Sequence, residues 1–354
     1  MTVGPEEQVV LVSSAEFVLK TSHVRRTLEQ RLIDDIRFTL RKSNIHNFTI
    51  GKAASRIVVS GVTDSRSAAK AIARIFGVAY AIPAIRVDGS IESVLKAVLQ
   101  KAAESLTFGQ SFAIRCHRSA MVPISTRDVE RRGGSQILEA LADRNIRVNL
   151  DEPDVLISVD LLAKEAHLYT TRVPGPGGLP LSSQWKMLAP LDSPLSLVAA
   201  YVMMRRGCLT QLLIPCSAFD ARFPAEGQIA MARRLREFVT RENYPGYILN
   251  LDAVPRAANI IRHTGLEFAS KRRFRGIVFA DVGGSIALDS SINKRSRELG
   301  LPIFQPLIGC NEAELSNLGE ALGVEWRDLN DNHVQANSTE SLSLLALPIS
   351  EVSL

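Results

Sequence analysis

The run Pro174-Gly-Pro-Gly-Gly-Leu-Pro180 constrains this chain more than any other stretch. Its prolines lack an N–H and its glycines pay the largest entropy for ordering, so neither helix nor strand continues through it. The two sides of the run are patterned differently. Before it, a strand-like Val9–Ser13 leads into apolar positions at helical spacing from Ser22 to Lys42. A strand at Arg56–Ser60 and a helix at Ser65–Phe76 follow. The spacing then predicts a helix over Ile91–Ala103, a strand at Ser111–Cys116 and a helix over Thr126–Arg144. A short strand at Ile146–Leu150 and a hairpin of Val155–Leu161 with Ala166–Thr171 complete that half. This is α+β organisation, with sheet and helix segregated into layers.

After Gln184, strands and helices alternate. Strands are expected at Leu209–Pro215, Tyr247–Leu251, Gly276–Asp281 and Pro302–Gln305. Helices are expected at Ser193–Arg206, Glu226–Arg241, Pro255–Lys271 and Ser290–Leu299. Strands separated by helices imply a parallel sheet covered on both faces. The Asn- and Ser-rich end from Asn330 reads as loose, with Leu342–Pro348 able to dock as an edge. At 354 residues the chain is too long for one ordinary core, which suggests two or three domains.

With 46% hydrophobic and 22% charged residues, the composition is that of a globular protein. No apolar run approaches the roughly 20 residues that cross a bilayer, and the first residues carry Glu6 and Glu7 where a signal peptide carries bases. A cytoplasmic location without a membrane partner is therefore expected. Cys116, Cys208, Cys216 and Cys310 show neither Cys-x-x-Cys pairing nor a nearby histidine cluster, and the six histidines have no ligand spacing. No metal site is expected. The net charge of +5 is unevenly placed: 24 Lys and Arg stand against 19 Asp and Glu up to residue 180, and 18 against 18 after it. A basic amino-terminal half suits contact with phosphate.

Three stretches carry a family resemblance. Phe112-Ala-Ile-Arg115, with Arg118, Pro123, Ser125, Arg127, Val129, Arg131-Arg132-Gly133 and Pro153–Asp160, resembles the THUMP domain of RNA-modifying enzymes. Gly175–Pro180 is similar to the linker joining THUMP to a PP-loop ATPase domain in tRNA 4-thiouridine synthases (tRNA sulfurtransferases). Val198–Gly207 and Leu301–Gly309 look like the first helix and a late loop of that PP-loop domain. The resemblance implies a ferredoxin-like domain over 1–88, THUMP over 89–173 and a linker over 174–183. A parallel-sheet PP-loop domain, of adenine-nucleotide hydrolase type, would span 184–335, with a tail over 336–354. It also implies tRNA as partner, ATP-dependent activation of a uridine and a cysteine that delivers sulfur.

The chemistry-bearing residues depart from that pattern. A PP-loop reads Ser-Gly-Gly-x-Asp-Ser, because bare backbone lets N–H groups close on phosphate. Aligned through Val198–Gly207, the six positions are Leu191-Asp192-Ser193-Pro194-Leu195-Ser196; a second register places Ala189 and Pro190 at the glycines. Either way a proline enters the cradle, whereas Ser193-Pro194 makes a good helix start. The sulfur-carrying cysteine belongs near Ile260-Ile261-Arg262, ahead of a loop that Gly283-Gly284-Ser285 resembles, and no cysteine lies between Cys216 and Cys310. The expectation is a degenerate site without cofactor. ATP and Mg²⁺ would enter only were that loop functional, and Cys208, Cys216 or Cys310 only as a relocated nucleophile, Cys216 and Cys310 being the better placed.

Candidate RNA contacts are Arg115, Arg118, Arg127, Arg131 and Arg132. Arg127 and Arg131 are four apart, hence on one helical face, and guanidinium forks suit phosphate and A-form edges. Asp128 and Glu130 offer an alternative, a self-neutralised helix face. Lys20, closing Glu16-Phe-Val-Leu-Lys20, is a further candidate, equally readable as a solvated lysine; the second basic run, Lys271-Arg-Arg-Phe-Arg275, is explained at least as well by a helix C-terminus that favours cations. A homodimer or a protein partner is compatible with this reading.

Overall fold

The computed structural model describes residues 6–14, 20–53, 56–119, 122–252, 259–283, 290–324 and 349–354. Glu16–Leu19, Gly284-Ser285 and the proposed edge at Leu342–Pro348 lie outside the described residues. The chain forms two compact units. The first comprises residues 1–19, 32–74 and 78–177, and the second residues 20–31, 75–77 and 178–354.

In the first unit the elements run β1 (Glu7–Ser13), α1 (Ser22–Lys42), β2 (Thr49–Ala53), β3 (Arg56–Ser60), α2 (Ser65–Ile72), β4 (Tyr80–Asp88) and α3 (Ile91–Ser105). They continue with β5 (Ser111–Arg118), α4 (Thr126–Ala140), β6 (Arg147–Val148), β7 (Val155–Leu161), β8 (Glu165–Tyr169) and β9 (Val173–Pro174). One nine-stranded sheet takes the order β2-β3-β1-β4-β8-β7-β5-β6, with β9 also on β4. β5 is parallel to β6 and β7; the other pairs are antiparallel. Phe112, Ile114 and Cys116 of β5 and Ile157 and Val159 of β7 alternate toward α3 and α4, where Val94, Val98, Val129 and Ile137 close the core.

β4, absent from the sequence expectation, is the central strand that joins the two halves of the sheet. Pro83 hides it, because proline within a run argues against an interior strand. The register explains the tolerance. On one side β4 pairs with β9 at Tyr80 and Ala81 and with β8 from Ile85 to Asp88, and Pro83 falls in the interval between them.

The second unit runs β10 (Lys186–Pro190), α5 (Pro194–Arg205), β11 (Leu209–Cys216), α6 (Ala225–Arg236), β12 (Pro245–Asn250), α7 (Ile260–Lys271) and β13 (Ile277–Val278). α8 (Ser290–Leu299), β14 (Ile303–Phe304), α9 (Glu312–Ala321) and β15 (Ile349–Ser353) follow. The order is β14-β13-β10-β11-β12-β15. β10 to β14 are all parallel, and β15 is antiparallel on the edge of β12. Apolar residues of α5, α6 and α9 build a core on one face, and those of α7 and α8 build one on the other. β10, short and ending in Pro190, was also missed from sequence, yet it is central. Strand order reverses beside it, which opens a crevice at the carboxyl ends where ligands of such sheets bind.

Candidate functional site

β10 ends at Pro190, and the turn with the first residues of α5 carries the six positions expected at the nucleotide loop, Leu191–Ser196. Leu191 is buried, and its N–H donates to Leu213 O at 2.8 Å. The Ser193 N–H donates to Ser196 Oγ at 3.3 Å, and the Ser196 N–H to Ser193 O at 3.0 Å. Pro194 has no N–H at all. The turn therefore uses the amides at Leu191, Ser193 and Ser196 within the protein. Ser196 Oγ donates on to Asp192 Oδ1 at 2.6 Å.

The other carboxylate oxygen of Asp192 accepts from Arg262 Nε at 3.0 Å. Arg262, in the first turn of α7, also donates through Nη1 to Asp281 Oδ1 at 2.9 Å, and Gln305 Nε2 donates to Asp281 Oδ2 at 2.8 Å. The guanidinium lies 4.8 Å from the centre of the Phe279 ring. Burial works against this cation, but Asp192 and Asp281 outweigh it and hold Arg262 above the ordinary arginine value. The head of β10 thus presents a closed ion-pair network of two carboxylates and one guanidinium. Beside the turn, a cavity of about 430 Å³ opens between Asp192–Pro194 and the segment Ala221–Gln228. A larger groove of about 760 Å³ lies at the ends of β11 and β12, lined by Cys216, Asn250, Asp252 and Ile349 among others.

All four thiols are shifted away from the thiolate. Burial pushes Cys208, Cys216 and Cys310 up. It pushes Cys116 up to about 12, assisted by Glu130 and Asp160. A thiolate is the reactive species, so a raised pKa suppresses reactivity. Among the described residues, no group of three His, Cys, Asp or Glu could hold a metal ion.

The arginines divide. Arg118 reaches Val122 O at 2.8 Å from the end of β5, while Arg127, Arg131 and Arg132 are exposed along α4. Gly133 sets α4 against β5: a Cβ there would meet Ile114 Cδ1 at 2.9 Å. Arg115 lies apart from this group. Strand alternation turns it away from the α4 side, and its Nη2 donates to Leu150 O at 3.4 Å. Among the described residues none of the five forms an ion pair. Glu130 accepts from the Cys116 N–H at 2.9 Å instead of neutralising a neighbour. Lys20 is exposed just ahead of α1.

Sequence reasoning did not connect Arg262, Asp281 and Gln305, although the signal was present. Asp281 and Gln305 close two expected strands, and carboxyl strand ends are where such sheets place their sites.

Comparison with known proteins adds two domain matches: the ThiI ferredoxin-like domain over residues 9–81 and the THUMP domain over 89–171. A probable tRNA sulfurtransferase of Methanosarcina acetivorans is 29% identical over 347 residues, covering 90% of this chain and 82% of that protein. A crystal structure from Pyrococcus horikoshii superposes with TM-score 0.70 at 22% identity, over 90% of this chain and 100% of that one. A 4-thiouridine synthetase, solved in an RNA complex with bound ATP, gives TM-score 0.70 at 18% identity, over 92% and 87%. At these identities the two structures speak to the fold. No helix among the described residues is long and apolar enough to cross a membrane.

Proposed function

We propose, from the premise that this chain is a member of the tRNA sulfurtransferase family with its ThiI ferredoxin-like and THUMP domains, that it binds tRNA without carrying out ATP-dependent thiolation. One observation carries this reading: Arg262 is held by Asp192 and Asp281 at the head of β10. A triphosphate there needs free amides and positive potential. The turn instead offers consumed amides, a proline and a net negative cluster. Two further observations support it. The cysteine expected near Ile260–Arg262 is absent, and burial raises the thiols that remain.

RNA contact rests on Arg118, Arg127, Arg131 and Arg132, four exposed cations that form no ion pair among the described residues, with Arg115 on the other side of the sheet and Lys20 as further contributors. Phosphate neutralisation releases counterions, so affinity falls steeply with salt. Such a protein acts as a binding or partner subunit of tRNA modification.

Titration with a tRNA transcript at two salt concentrations tests the RNA half; the double variant Arg118→Ala with Arg131→Ala should flatten the salt dependence. Calorimetry with ATP and Mg²⁺ tests the catalytic half, and the expected result is no heat of binding. Micromolar affinity with pyrophosphate release would instead establish a working enzyme with relocated catalytic groups, and the half-exposed Cys310 would then be the first thiol to replace.

A further inference from the structure

At the end of the parallel sheet away from the Asp192–Arg262 network, the chain gathers around the start of β10. The Gln184 N–H donates to Gly207 O at 3.0 Å, the Leu209 N–H to Trp185 O at 3.1 Å and the Arg275 N–H to Lys186 O at 2.9 Å. α5 and α7 run against the strands on opposite faces, so both end at this rim. Their ends leave Arg205, Arg206, Arg272, Arg273 and Arg275 exposed, and none of these forms an ion pair among the described residues. Arg272 lies near the rings of Phe268 and Tyr247 at 5.6 and 5.9 Å, contacts that leave its charge uncompensated. Trp185 sits at the start of β10 with 58% of its surface exposed.

Helix dipoles do not explain this grouping. The negative C-terminal end favours a cation within the last turn, which covers Arg205 but not Arg273 and Arg275, which lie beyond α7. Arg273 moreover adopts φ +56°, the left-handed position usually given to glycine. Crowding is felt nearby: burial, and then Arg272, push Lys186 below the ordinary lysine value, with Glu351 acting the other way. Like charges gathered in excess of the nearby Glu351 repel one another in the free protein, and an anionic partner relieves that repulsion.

We propose that this rim is a second RNA-backbone surface, with the arginines on phosphates and Trp185 as a platform for an unpaired base. The chemistry favours RNA over an anionic membrane. The cations are mostly guanidiniums, whose planar forks match phosphate, and one exposed indole among them suits base stacking. The proposal rests on the tRNA-binding reading, but concerns a different surface, on the parallel-sheet unit.

The test compares the full chain with Arg272→Ala/Arg273→Ala/Arg275→Ala and with Arg118→Ala/Arg131→Ala, using fluorescence anisotropy of a labelled tRNA transcript at two salt concentrations. The rim variant should bind about tenfold more weakly at low salt, with the salt slope reduced by about 2. In a Trp326→Phe background, RNA should quench the remaining Trp185 fluorescence, a readout that does not depend on the triple variant folding. Should the full chain fail to bind RNA, both readings fall. Loss of binding only in the Arg118/Arg131 variant, with an unchanged rim variant and unquenched Trp185, overturns this proposal alone. Rim-dependent binding to phosphatidylserine vesicles without a response to RNA overturns it as well.

Discussion

Arg262 and Asp192 are 70 residues apart in the chain and 3.0 Å apart in the fold. Their contact places an ion pair at the head of a parallel sheet, the end where such sheets bind ligands. Asp281 completes the arrangement from the end of β13. Its charge and that of Asp192 exceed the single cation between them, so removing Arg262 leaves two carboxylates facing each other at low exposure.

Arg262→Leu should therefore destabilise the protein by about 3 kcal/mol, the usual result of breaking a largely buried pair. Adding Asp192→Asn and Asp281→Asn should restore part of that loss. Urea denaturation of the variants checks this, and equal midpoints for Arg262→Leu and the parent would remove the network from any account of stability.

His167 predicts a pH dependence. It is buried on β8, its Nε2 3.4 Å from Glu165 Oε1, with Asp160, Arg86 and Arg56 also facing it. Burial, the largest influence, places its folded pKa below the ordinary value of 6.5. The unfolded chain then binds more protons between the folded pKa and about 6.5, so stability present above that range is lost as pH falls through it. The urea midpoint should drop between pH 7.5 and 5.5, and drop less in His167→Gln. Identical pH dependence in the two proteins would count against the assignment.

Thiol reactivity should follow burial. At pH 7.5 iodoacetamide should modify the half-exposed Cys310 first and Cys116 last, since burial raises the latter to about 12. All rates should rise with pH. A time course read by mass spectrometry decides; rapid alkylation of Cys216 at neutral pH would reveal an activated thiolate.

Two glycine substitutions should act in opposite directions. Gly178 has φ +74°, and a Cβ there would sit 2.0 Å from the Arg205 carbonyl oxygen. Gly178→Ala should cost about 2 kcal/mol or more, through strain and displaced backbone. Gly134 lies within α4 with nothing within 4 Å of an added Cβ, and Gly134→Ala should stabilise by about 0.5–1 kcal/mol. Thermal denaturation compares them.

Local pattern was a reliable guide wherever an element's own residues determine it. α1, β3 and α8 fall on the expected bounds Ser22–Lys42, Arg56–Ser60 and Ser290–Leu299, because amphipathic spacing and turn chemistry are written in consecutive residues. β2 was not legible. It is a largely exposed edge strand, Thr49–Ala53, with no buried face to impose alternation. β4 and β10 were not legible either, since each is central only through partners brought from elsewhere in the chain.

Consecutive residues were enough for the family resemblance, for the order of α+β and alternating halves, and for the absence of glycine from Leu191–Ser196. These are matters of residue identity at a position. Folding was needed to show which carboxylates hold Arg262, which amides in the turn bond within the protein, and which arginines form no ion pair among the described residues. Those depend on distances between residues remote in the chain, and a charge acquires its meaning from the groups that folding places beside it.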